Sequence, residues 1–224
     1  FGRNIKSLIA ILALIKIFFI KKKVLVLSFQ SNILAIILCR IFSQKIITRS
    51  NSFPDHWTNN FIKKILFKKI YPLANHNIVN SLRTKNDFIK NYKIKPTCIY
   101  NPLDISKIKS LSRKSASKIF SKNKLKIINV GRLSEEKDHI TFLRALHLLD
   151  KQINYDAVIM GQGKMKGKIE KFIKNHNLSN NVRLINYKPN PYPYIKQSDF
   201  VILTSLHEGL PNILLEAIAL KKFV

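Results

Sequence analysis

Arg132 and Lys137 stand just beyond an apolar run, LKIINV, with Gly131 at its end. A guanidinium that binds bidentately and an ammonium that acts as a point charge could together neutralise a diphosphate. Two carboxylates, Glu208 and Glu216, lie further along with seven residues between them. Fully helical, that separation is roughly 12 Å, which suits gripping the two ends of one elongated ligand and is too long for a short-range acid/base dyad. Gly209 lets backbone approach a ligand, Leu210 shares its turn, and Pro211 stands where a helix can begin. The free N–H groups and positive dipole end of that helix would attract an anion. A plainer reading keeps Lys137 as a surface lysine paired with a neighbouring Glu, and Glu208 and Glu216 as solvated carboxylates.

Those residues need a scaffold, and the hydrophobic pattern supplies one. Strands are expected at Val24–Ser28, Lys45–Arg49, His76–Asn80 and Thr97–Tyr100, then at Leu125–Val130, Tyr155–Met160, Val182–Ile185 and Asp199–Leu203. Helices are expected between them, among them residues 5–20, Ile33–Phe42, Asn59–Leu73, Glu136–Leu149 and Met165–His176. Buried strands alternating with helices imply an α/β chain of two Rossmann-like, doubly wound parallel-sheet domains. The first domain is expected over residues 1–105 and the second over 124–224. The Ser/Lys-rich stretch 106–123 reads as the connection between them. Ligands of such sheets bind at the carboxyl ends of the strands, where Gly131 and Arg132 fall. Ser134 is expected to cap the helix that follows, with Lys137 in its first turn against the dipole. Gly161 and Gly163 end another strand; they could admit a nucleotide, and a tight turn explains them equally well. The polar loop Arg49–Trp57 could touch a substrate, although neither Asp55 nor His56 has an evident catalytic partner.

The 224 residues carry 40 Lys and Arg against 12 Asp and Glu, a net charge of +28. Such a field suits polyanions or an anionic membrane surface. The lysines are scattered over nearly every polar segment and no nucleic-acid-binding motif is present, so compositional bias is favoured over a nucleic-acid footprint. No D-x-D and no His/Cys/Asp cluster with ligand spacing occurs, so no metal is expected. Cys39 and Cys98 read as reduced core thiols, as in a cytoplasmic protein. The apolar stretch Leu8–Ile20 is too short to span a bilayer comfortably. It reads as a core-packed helix, with interfacial membrane contact as the alternative.

NVGRLSEEKDHITFLRAL, VIMGQGKMKGKIE and DFVILTSLHEGLPNILLEAIAL, in this order, resemble the three successive signatures of the C-terminal domain in group 1 (family 4) retaining glycosyltransferases. VLVLSFQSN, KIITRSN, HNIVNSLRTKNDF and IYNPLD resemble the later part of that family's acceptor domain. The resemblance implies a GT-B fold with both domains incomplete, as in a fragment lacking both ends. It also implies a nucleotide-sugar donor, often UDP-linked, with no cofactor or metal. Arg132 and Lys137 would then hold the departing diphosphate, Glu208 the donor sugar at its reacting end, and Glu216 the ribose hydroxyls. Backbone at Gly131, Gly163, Gly209 and Leu210 would border the donor. The acceptor would be a glycan or a polyprenyl-diphosphate-linked glycan in bacterial surface polysaccharide or lipopolysaccharide biosynthesis. Such an enzyme would be cytoplasmic or peripheral on the inner membrane face, with anionic lipid as a further partner. One departure from the family pattern stands after Ala219, where Leu220, Lys221, Lys222 and Phe223 replace a small residue, Gly, a variable residue and Pro. Two other readings are a non-catalytic GT-B-like remnant that binds nucleotide or lipid, and a basic nucleic-acid-binding module.

Overall fold

A computed structural model describes residues 2–29, 31–51, 54, 60–149 and 152–224. It divides into two compact units, residues 1–101 with Glu208–Leu210, and residues 102–207 with 211–224. Each unit is built on a four-stranded, wholly parallel sheet with helices packed on it.

In the first unit the sheet order is β1 (Leu25–Ser28), β2 (Lys45–Ser50), β3 (His76–Val79) and β4 (Thr97–Cys98). Helix α1 (Gly2–Ile20) precedes β1, and α2 (Asn32–Ile41), α3 (Phe61–Ile70) and α4 (Leu82–Asp87) run between successive strands. The core joins Phe18, Ile36, Cys39, Ile46 and Val79 to an aromatic cluster. In that cluster Phe67 stacks on Tyr71 at 4.3 Å and meets Phe88 edge-on at 5.7 Å. The buried Asn32 is paired, as burial favours. Asn32 accepts from the Ser28 hydroxyl at 2.7 Å, and its amide donates to Tyr71 Oη at 3.0 Å and to the Arg49 carbonyl at 3.2 Å. Helix α1 packs through Leu14 and Phe18, while Ile9, Leu12, Ile17, Phe19 and Ile20 stay exposed, so the expected core-packed helix is buried only in part. Among the described residues no helix is long and apolar enough to cross a membrane. Asp55, His56 and most of the polar loop expected at residues 49–57 lie outside the described residues.

In the second unit the order is β7 (Val182–Ile185), β6 (Tyr155–Met160), β5 (Leu125–Val130) and β8 (Phe200–Val201). Every residue of β6, YDAVIM, is buried, the mark of a central strand covered on both faces. Tyr155, Ala157 and Ile159 face the cluster made with α6 (His139–Leu149) and α7 (Lys166–Asn175). Val158 and Met160 face the cluster of α8 (Tyr192–Gln197) and α9 (Asn212–Ala219). The sheet is therefore doubly wound, as expected.

Several expectations shift. The stretch 106–123 is not free connecting chain, since it carries most of a further helix, α5 (Ile105–Ser112), which packs on α8 and α9. Its later residues are fastened too: the Ser121 N–H donates to Asp156 Oδ2 at 2.6 Å, and Ile119 N–H to Gln197 Oε1 at 3.1 Å. Asp156 is buried and also takes a two-pronged hydrogen bond from Arg183 at 2.7 and 2.8 Å. Strand β8 is shorter than the apolar run DFVIL, because the ladder to β5 ends at Val201. The C-terminal Phe223 lies beside β8, accepting from the Val201 N–H at 2.9 Å and stacking on Phe200.

Phe142 fills the α6 side of the second core. Phe142→Ala is expected to cost about 3–5 kcal/mol in urea unfolding, whereas Leu148→Ala, on the exposed side of the same helix, should change stability by less than about 0.5 kcal/mol.

Candidate functional site

The second unit gathers five of the expected residues. Gly131 and Arg132 leave the carboxyl end of β5, and the chain then makes one 3-10 turn, Glu135–Lys137, before α6. This corrects the expectation that the helix begins at Glu136. Asp138 adopts a left-handed conformation, φ 41° and ψ 53°, which breaks the turn from the helix. Its carboxylate then caps α6, accepting from Thr141 Oγ1 at 2.6 Å and from the Thr141 N–H at 3.3 Å. Ser134, expected as that cap, makes no side-chain cap bond. Lys137 therefore precedes α6 and does not oppose its dipole from within the first turn. Its aliphatic stem lies over Gly131, where an added Cβ would sit 3.7 Å from Lys137 Cδ.

Residues 131–138 are held from two sides. On one, residues 161–165 meet them backbone to backbone. Gly131 N–H donates to the Met160 carbonyl at 3.0 Å, Leu133 N–H to that of Gln162 at 2.9 Å, and Met165 N–H to that of Leu133 at 3.0 Å. A Cβ on Gly161 would overlap the Gly131 carbonyl oxygen, and one on Gly163, whose φ is 154°, would overlap that of Leu133. The G-x-G pattern thus has a packing cause. On the other side, Thr204 Oγ1 donates to the Asp138 carbonyl at 2.9 Å, and the Leu206 N–H to that of Glu136 at 2.9 Å. The start of TSLHEGLPN is thereby tied to the turn that carries Lys137.

Glu216 projects from α9 and is half-buried, and the Tyr192 hydroxyl of α8 hydrogen-bonds its carboxylate. Burial raises the Glu216 pKa above the usual carboxylate value, and the Tyr192 hydrogen bond partly offsets this. Burial also raises the Tyr192 pKa, with the nearby Glu216 charge adding to it, so the phenol stays protonated and donates. Arg132 is exposed. Glu208, Gly209 and Leu210 are half-buried and group with the first unit.

The model of the family "Glycosyl transferases group 1" matches residues 112–224, half of the chain. The chain belongs to the group 1 glycosyl transferases. It is 31% identical over 183 residues to N-acetylgalactosamine-N,N'-diacetylbacillosaminyl-diphospho-undecaprenol 4-alpha-N-acetylgalactosaminyltransferase of Campylobacter jejuni, covering 80% of this chain and 48% of that protein. An uncharacterised glycosyltransferase of Methanocaldococcus jannaschii is also 31% identical, over 77% of this chain and 45% of its own length. The chain thus spans about half the length of these curated relatives. Among solved structures, Anabaena HepE in complex with UDP superposes with a TM-score of 0.70 at 19% identity, over 88% of this chain and 58% of that one. Staphylococcus aureus TarM, in complex with UDP and alpha-GlcNAc-glycerol, superposes with a TM-score of 0.63 at 22% identity, over 80% of this chain and 36% of that one. These likenesses establish the GT-B fold.

Tyr192, against Glu216, and Thr204, bonded to the turn of Lys137, are contacts that sequence reasoning passed over. Tyr192 lies in NPYPY, for which no element was expected; Pro193 early in α8 was the available signal for a helix start. Around the turn of Lys137, buried polar atoms collect without hydrogen-bond partners among the described residues. They are the Asn129 amide, the Ser134 and Ser205 hydroxyls and both ring nitrogens of His139. Such groups are what ordered water satisfies.

His139 also makes the fold pH-sensitive. Burial foremost, and Lys137 nearby, lower its pKa from 6.5 to about 4. The unfolded chain takes up this proton near 6.5 and the folded chain only near 4, so this contribution is complete above 6.5 and is lost as pH falls through that window. Urea unfolding should show stability falling by at most about 1.4 kcal/mol per pH unit from this group, and His139→Gln should remove that increment.

Proposed function

We propose that this chain is part of a retaining glycosyltransferase that moves a sugar from a UDP-linked donor to a glycan or a polyprenyl-diphosphate-linked glycan in bacterial surface polysaccharide or lipopolysaccharide biosynthesis. The observation that carries this reading is the fastened β5–α6 turn, which presents Arg132 and Lys137 at the carboxyl end of β5 in the same unit as Glu216. The UDP in the HepE and TarM structures supports the choice of nucleotide. The diphospho-undecaprenol substrate in the name of the Campylobacter relative supports a lipid-linked acceptor. Such an acceptor would place the enzyme at the cytoplasmic membrane face as a peripheral protein.

In this reading the bond between the anomeric carbon and the diphosphate oxygen breaks, and negative charge grows on the leaving group. Arg132 meets that charge with two parallel N–H donors and Lys137 with an ammonium, so both bind the transition state more tightly than the ground state. Glu216, oriented by Tyr192, accepts from the ribose hydroxyls, while Gly131 and Gly163 shape the backbone beside the phosphates. Glu208 contacts the donor sugar at the reacting end, and the N–H groups of Gly209 and Leu210 meet sugar and phosphate oxygens. The acceptor hydroxyl attacks the face the diphosphate leaves, its proton passes to the departing phosphate oxygen, and configuration is retained.

Isothermal titration with UDP and GDP checks the donor assignment. UDP should bind the more tightly, and Arg132→Ala combined with Lys137→Ala should weaken it at least about tenfold, from loss of charge-assisted bonds. Undiminished UDP affinity in the double variant contradicts the assignment.

A further inference from the structure

The loop Glu208–Leu210 groups with the first unit, and its Gly209 sits where no side chain fits. A Cβ there would overlap both the Asn51 carbonyl oxygen and Asn80 Oδ1. Conformation is not the reason for glycine, since the positive-φ glycine among the described residues is Gly163. Space is the reason. The Cα–H that stands in place of the Cβ points at those two oxygens, a pair of weak C–H···O contacts. Both oxygens belong to residues that directly follow strands, Asn51 after β2 and Asn80 after β3. Asn80 is 1% exposed, and its Nδ2 donates to the Asn51 carbonyl at 3.3 Å, while its Oδ1 is buried without a hydrogen-bond partner. Asn51 is held in turn by Arg49, whose Nε donates to its Oδ1 at 3.3 Å. The same guanidinium reaches Asn101 Oδ1 at 2.7 Å and the Ile99 carbonyl at 3.3 Å, beyond β4. The carboxyl ends of three neighbouring strands are thus fastened around the point where Gly209 lies.

A glycine that serves close approach of a ligand keeps its Cβ side open, and at Gly209 that side is filled by protein. Filling space alone does not explain Asn80 either. An amide oxygen buried without a partner is unfavourable, and an apolar side chain would fill the same volume without that cost. What Asn80 supplies is a short polar wall that, with the Asn51 carbonyl, admits a C–H and excludes a methyl group. A local rule broken in this way is the mark of a functional position. Glu208 is the next residue along the chain, its Cα about 3.8 Å from that of Gly209, so a shift of Gly209 carries Glu208 with it. Misplacing a reacting group by about 1 Å costs on the order of a hundredfold in rate.

We propose that Asn80 is a positioning residue: with the Asn51 carbonyl it forms a seat that glycine alone fits at 209, and the seat sets where the Glu208 carboxylate stands. The proposal rests on the reading of Glu208 as the contact to the donor sugar, and it names the side chain that holds that contact in place.

A glutamate-specific protease acting on the 224-residue chain reads the seat directly, because it cuts the Glu208–Gly209 bond, and its cut at Glu170 on α7 reports whether the fold is intact. The Glu208 cut should be slow in the wild type. Gly209→Ala and Asn80→Ala should each speed it at least about tenfold, with the Glu170 cut unchanged. Both substitutions break one contact, so the double variant should exceed the faster single one by no more than about twofold. Titration runs in parallel with UDP and with UDP-N-acetylgalactosamine, the latter chosen from the name of the Campylobacter relative. Asn80→Ala should weaken the nucleotide sugar at least about tenfold and UDP less than about threefold. An unchanged Glu208 cut in the single variants, a multiplied acceleration in the double variant, or equal weakening of both ligands overturns the proposal. Gly209→Ala leaves both asparagines in place and carries the cleavage test alone should Asn80→Ala not fold. A wild type that binds neither ligand, with the cleavage pattern as expected, overturns the donor reading and supports the seat.

Discussion

The backbone-to-backbone approach of residues 131–138 and 160–165 is the constraint on which the geometry of the second unit's β5–α6 turn depends. Two main-chain hydrogen bonds join residues 131–138 to 161–165 and a third joins Gly131 to Met160, and two positions lack a Cβ because a carbonyl oxygen occupies that space. On the proposed function, rigidity here has a direct use. A cation stabilises a leaving group best when it is already in place, since no reorganisation then accompanies the growth of charge. The same contacts set the turn on which Lys137 rides, and Thr204 and Leu206 hold that turn from the β8 side.

Much of this fold was legible in the chain. Strands β5, β6 and β7 fall where the runs LKIINV, YDAVIM and VRLI stand; the central β6 is buried on both faces, as such a run allows, and β7 lies at the sheet edge with only Val182 buried. Local rules failed where a single residue's conformation decided the outcome. Asp138 in the left-handed region moved the start of α6 past Lys137, and no hydrophobic period reports that. Helix α8 escaped notice because YPYIKQ, with Pro191 before it and Pro193 within it, has too few apolar positions to show a period. Helix α5 lay hidden in Ser/Lys-rich sequence, although Ile108 and the Asp104 cap mark it.

The candidate site was legible as motifs and not as contacts. Arg132, Lys137 and Glu216 were identifiable by their place at strand ends and in the EGLPN–LLEA signature. The packing reason for Gly161 and Gly163, and the Tyr192 hydroxyl on Glu216, depend on segments far apart in the chain. Periodicity cannot pair distant side chains. The outward apolar face of α3 is a case of the opposite kind, since its pattern of Phe, Ile and Lys was plain in the sequence and only exposure revealed which way it faces.

A crystal structure of the chain soaked with UDP tests the central claim most directly. The account requires the diphosphate within hydrogen-bonding distance of the Arg132 guanidinium and the Lys137 ammonium, the ribose hydroxyls on the Glu216 carboxylate, and residues 131–138 unmoved. A nucleotide seated elsewhere, or one whose phosphates meet neither Arg132 nor Lys137, contradicts it.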